Sequence, residues 1–130
     1  MGYYTYYDLG VHHKHDKYAV NSVDCYGVDT TIIKEMARKL DLIIHGGEDY
    51  TDAEPNNFED VLYESMKWYD HDNDMRELSK LYPDYYFTLR GSGEEWGDWW
   101  QKLFRDGELL GVVEGDIIYP DFDVSYGVVE

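Results

Sequence analysis

The stretch "YYFTLRGSGEEWGDWWQKLFRDGELLGVV", residues 85–113, decides the fold. Its opening alternates Tyr85, Phe87 and Leu89 against Tyr86, Thr88 and Arg90. That period of two belongs to a strand with two unlike faces. "DWWQKLF" (98–104) reads as a second strand and "ELLGVV" (108–113) as a third. Between them, Asp106-Gly107 is a two-residue hairpin signal, since the favoured turn needs positive φ at both central positions. The glycines of "GSG" (91–93) shape a bend between strands. A phosphate cradle is disfavoured there because Glu94 and Glu95 follow within the same segment and would repel phosphate.

Upstream, the period changes to that of helices. "DTTIIKEMARKL" predicts a helix over roughly 30–40, capped by Asp29 or Thr30, with Ile32, Ile33, Met36, Ala37 and Leu40 on one face. "LIIHGGED" reads as a short strand or an extension of that helix, followed by an acidic loop. "VLYESMKWY" (61–69) predicts a strand, with a helix start as the alternative. "DHDNDMRELSKLYP" predicts a second helix, about 71–82, capped by Asp70 or Asp72 and stopped by Pro83. "YYTYYDLGVHH" (3–13) supplies a first strand. "GDIIYPDFDVSYGVVE" (115–130) could add a short edge segment. The element order is β-α-β-α-β-β-β. The fold class expected is α+β, one antiparallel sheet of about four to five strands with two helices on one face, in a single domain.

Composition narrows the function classes. The chain has 130 residues, 43% of them hydrophobic and 17% aromatic, which argues for a packed core. The net charge is −17. Residues 1–40 balance five acids with five bases, whereas residues 41–84 carry 13 acids against three bases and residues 85–130 carry ten against three. Direct binding to a nucleic-acid backbone needs clustered Lys and Arg, so the balance argues against it and for a basic partner. No apolar run approaches the roughly 20 residues of a membrane span. "MGYYTYYDLG" has no basic and apolar leader pattern, and Cys25 is the single cysteine, so a cytoplasmic setting is expected.

Residues 66–109, "MKWYDHDNDMRELSKLYPDYYFTLRGSGEEWGDWWQKLFRDGEL", carry a resemblance. Tyr82-Pro83 closes a helix before a strand. Gly91, Gly93, Glu94 and Glu95 form a Gly-x-Gly-Glu-Glu segment. Gly97, Asp98, Trp100, Phe104 and Gly107 complete the pattern. The stretch resembles the C-terminal portion of small phage and plasmid proteins with a ferredoxin-like domain of the YubB type, over about a third of the chain. The resemblance implies an α+β, ferredoxin-like fold and a mobile-element origin, and it offers no catalytic residues to carry over. "Ferredoxin-like" names a topology here; one cysteine cannot hold an iron–sulfur cluster.

Three constellations invite chemistry. "HHKHD" (12–16) offers His12, His13, His15 and Asp16 as metal ligands, with His45 or His71 needed to complete a site; the simpler expectation is a polar turn and no bound metal or cofactor. "DHDND" (70–74) lacks the central glycine and late glutamate of a calcium loop, and helix capping accounts for Asp70, Asp72 and Asp74. Glu94, Glu95 and Asp98 could furnish a carboxylate pair, but adjacent strand residues face opposite ways, and no nucleophile motif is present. Trp96, Trp99 and Trp100 cannot share one strand face, so one tryptophan should pack under a helix and another lie on the open face of the sheet.

The expectation is a non-enzymatic module that binds a host protein with a basic surface, such as a CRISPR effector or a restriction enzyme, by imitating nucleic acid. Its binding residues would be Glu94, Glu95, Trp96, Asp98, Trp100, Asp70, Asp72 and Asp74. The alternatives are a small-molecule or nucleotide sponge using Arg90 and Lys102, and a structural or accessory oligomer.

Overall fold

Alternation along the strands settles which side meets the helices. In a computed structural model, the described residues are 5–16, 22–25, 27–46, 55–62, 68, 70–93 and 99–114. They form β1 (Tyr6–His13), α1 (Thr30–His45), α2 (His71–Leu81), β2 (Tyr85–Ser92), β3 (Trp99–Arg105) and β4 (Glu108–Glu114), with a 3-10 turn at Phe58–Asp60. The sheet is antiparallel throughout, in the order β1-β2-β3-β4. Two helices and one open four-stranded sheet make the α+β, ferredoxin-like arrangement expected.

One face of the sheet carries Tyr7, Leu9 and Val11 from β1, Phe87 and Leu89 from β2, and Phe104 from β3. These join Ile33, Met36, Ala37 and Leu40 of α1 and Met75 and Leu78 of α2 in a single core. Both helices therefore pack on the same face. Each large side chain buried this way contributes about 1.5–3 kcal/mol by leaving water. The other face has its own smaller cluster, Tyr86 and Leu103 with Leu110 and Val113 against them. It is not the open face expected. Thr88 and Gln101 on it have no exposed surface. At β1 the segment 22–25 comes close enough that a Cβ on Gly10 would meet Ser22 O and Val23 Cα at 2.5 Å, so only glycine fits there.

Local rules explain most boundaries. Asp29 caps α1 by accepting from Thr31 N at 2.8 Å, and Gly46 ends it at φ 73°. "LIIH" is thus an extension of the helix. The β3–β4 turn has φ 51° at Asp106 and 80° at Gly107, the signature of a type I′ hairpin. Gly107 N donates to Ser79 Oγ at 2.9 Å, which ties the hairpin to α2. The strand or helix start expected at 61–69 falls mostly on residues 63–67 and 69, which lie outside the described residues. Val61 and Leu62 follow the 3-10 turn and Trp68 lies outside any strand, all three buried in the helix-side core. The apolar character of these three serves burial in that core, and in so short a run it does not by itself specify a strand. The segment expected at 115–130 lies outside the described residues.

Candidate functional site

β3 sends Trp100 and Lys102 toward the helices, because residues two apart on a strand share a face. The first turn of α2 lies above them. The His71 ring stacks on Trp100 with centroids 4.7 Å apart and planes 13° from parallel. Lys102 Nζ sits 4.9 Å from the centre of the same Trp100 ring and donates to Asp72 Oδ1 at 2.8 Å. It also lies 2.9 Å from His71 Nε2. An ammonium has only donors, so His71 Nε2 must accept and the ring proton must be on Nδ1. That nitrogen faces the Trp68 carbonyl oxygen at 3.1 Å, a partner that can only accept. The geometry thus selects one neutral tautomer. The 3.4 Å approach of Nε2 to Asp72 is then no ion pair, and Lys102 is what neutralises Asp72.

Electrostatics agrees with this assignment. Burial holds the His71 pKa below its ordinary value, opposed by the Trp68 carbonyl and supported by the charge of Lys102. Beneath, the buried Trp68 meets Tyr7 edge-on at 5.2 Å and donates from Nε1 to Asp74 Oδ2 at 2.7 Å. Burial pushes the Asp74 carboxyl up, against the pull of that hydrogen bond. Trp100 also covers Gly91, its cross-strand partner; a Cβ there would overlap the indole ring. Every polar group of this knot is committed to another. No nitrogen of His71 is left to move a proton.

Three expected site residues come together here: Asp72, Asp74 and Trp100. Asp70 occupies the N-cap position of α2, yet its side chain makes no capping hydrogen bond. In place of the capping expected of this acidic run, Asp72 accepts from Lys102 and Asp74 from the Trp68 indole, both outside the helix. Trp100 is the tryptophan under a helix, half-buried. Trp99 points to the other face, with Arg90 5.9 Å from its ring. Glu94, Glu95, Trp96 and Asp98 lie outside the described residues; Gly93 and Trp99, which flank them, are at the end of the sheet that carries Tyr6 and Ser92. His71, Lys102, Trp68 and Tyr7 were not expected as members of this group. The one signal available was chemical, a lysine among aromatics in a chain short of bases.

Of the histidine cluster only a pair is gathered, His13 and His15, whose ring centroids lie 4.7 Å apart. β1 ends at His13, whose Nδ1 accepts from His15 N at 3.2 Å in the following turn. His12 is buried on the other face, with Nε2 3.0 Å from Ser22 O. His71 belongs to the Trp100 knot. Among the described residues, no three metal-ligating side chains converge. Cys25 is half-buried, and burial pushes its thiol up, so it is a poor nucleophile. It lines a cavity of about 580 Å³ between β1, the start of α1 and the 3-10 turn. No described helix is long and apolar enough to cross a membrane.

Comparison of the chain with protein-family models, curated proteins and solved structures finds no match.

Proposed function

We propose that the chain is a small acidic binding module of phage or plasmid origin. It docks on a basic, nucleic-acid-binding surface of a host protein, such as a CRISPR effector or a restriction enzyme. One observation carries this reading: the bases of the sheet and of the turn after β1 have partners within the chain, and many acids do not. Lys14 pairs with Asp84 at 2.9 Å and Lys102 with Asp72 at 2.8 Å. Arg90 binds Gln101 Oε1 at 2.9 Å and Arg105 binds the Pro83 carbonyl at 3.1 Å. Asp8, Glu59, Asp70, Glu77 and Glu108 remain exposed. A chain of net charge −17 therefore presents its excess charge outward, where it steers basic partners.

The test is competition. The protein, immobilised, should capture a host nuclease at low salt and release it as salt rises, and duplex DNA should compete for the same nuclease. Capture that ignores both salt and DNA, or no nuclease captured at all, contradicts the reading. A phosphate-bearing small ligand is the weaker reading, because exposed acids line the cavity beside β1.

A further inference from the structure

We infer that the cavity beside β1 receives an arginine side chain, with its flanking backbone, from the basic protein partner. The inference rests on the proposed function for the partner's charge, and on the cavity's own construction for the rest. Its floor is apolar, from Leu9 of β1, Ile33 of α1, and Phe58 and Leu62 around the 3-10 turn, all of them buried. Its walls carry carboxylates on two separate elements, Asp8 on β1 and Glu59 on the 3-10 turn. Both are exposed, and neither has a hydrogen-bond or ion-pair partner among the described residues. Asp24 adds a third carboxylate, held by the Ser22 hydroxyl.

That combination matches one side-chain chemistry. A long aliphatic stem covers apolar surface while its charged head stays at the rim. A guanidinium is planar, weakly hydrated and forked, so it can rest against the Phe58 ring and reach carboxylates on both walls. A lysine ammonium is a hydrated point charge and would use less of this lining. The N-terminus of α1 opposes a cation, since Thr30 lines the cavity. Its partial charge is only about half a unit, and Asp29 already caps it; three carboxylates outweigh it. The volume of about 580 Å³ lies within the range of ligand sites and exceeds one arginine side chain, so neighbouring residues of a polypeptide enter with it.

The probe is the blocked peptide acetyl-Ala-Arg-Ala-amide, titrated into the isotopically labelled full chain by NMR. Expected are shifts of the Leu9, Ile33, Phe58 and Leu62 amides, with the citrulline peptide, equal in shape but uncharged, binding at least about tenfold more weakly. The double variant D8N/E59Q removes charge from both walls and should weaken the arginine peptide about tenfold. T30F fills the mouth without changing charge and should abolish the shifts. Unchanged melting temperatures would show that both variants still fold. Equal binding of arginine and citrulline peptides, or full binding by D8N/E59Q, overturns the inference. Agmatine binding as tightly as the peptide overturns the polypeptide part, leaving a small-cation site. Nuclease capture that persists in both variants, with no peptide shifts, rejects the cavity while leaving the proposed function standing; peptide shifts without any nuclease capture do the reverse.

Discussion

Two acidic regions of this protein solve the same electrostatic problem in opposite ways. At the start of α2, Asp72 and Asp74 are each bonded inward, to Lys102 and to the Trp68 indole. Beside β1, Asp8 and Glu59 stand exposed around an apolar floor, with no partner among the described residues. The difference teaches where the net charge is structural and where it is available. The first region spends its acids holding β3 to α2. The second leaves them to meet something else.

The comparison breaks hardest at Trp68. Trp68→Ala should cost about 3–5 kcal/mol in urea unfolding, because it empties a buried site and frees Asp74; a loss below about 1 kcal/mol would mean that the knot is not structural. Gly91→Ala comes next, at about 1–3 kcal/mol, since the new methyl must displace the Trp100 ring. The double variant with Trp100→Ala should lose less than the sum of the two single losses, and strict additivity would show that the overlap is not what Gly91 avoids.

Lys102→Met should cost about 1 kcal/mol at pH 7, since its partner Asp72 is half-exposed and water screens the pair. A sharper test uses pH. The folded-state pKa of His71 lies below its unfolded value of 6.5, so the unfolded chain takes up the proton first. Its contribution is fully present above pH 6.5 and is lost as pH falls through the folded pKa. Lys102→Met removes a charge that depresses that pKa, so the loss of stability on acidification below pH 6.5 should shrink. Asp74 acts with the opposite sign, its raised pKa favouring the fold at lower pH, so the measurement belongs above the carboxylate range. An acid limb unchanged by the substitution would remove Lys102 from the account of His71.

The smallest effect sharpens the contrast from the other side. Asp8→Asn and Glu59→Gln should each change stability by no more than about 0.5 kcal/mol, because neither carboxylate has a partner to lose among the described residues. A larger loss would make the two regions alike.

Much of this architecture was legible from local pattern. The alternation over 85–91, the Asp106-Gly107 turn and the apolar face of α1 each follow from backbone geometry acting over a few residues. The candidate site was legible only in part. Asp72, Asp74 and Trp100 could be singled out as acids and an aromatic, but their roles could not. Asp72 meets Lys102 across 30 positions of sequence, and no local signal encodes that pairing. The acids of 70–74 looked like helix caps because capping is the local use for an aspartate in a first turn.

By itself, the sequence determined the strands, the helices, the hairpin and the excess of negative charge, since those depend on side-chain period, backbone φ and a count of ionisable groups. Only the tertiary structure decided which charges were left over. It put Lys102 under α2, laid Trp100 across Gly91, brought segment 22–25 against Gly10, and left Asp8 and Glu59 at the edge of a cavity. Those outcomes turn on distances between residues far apart in the chain, and such distances exist only once the sheet and helices have packed.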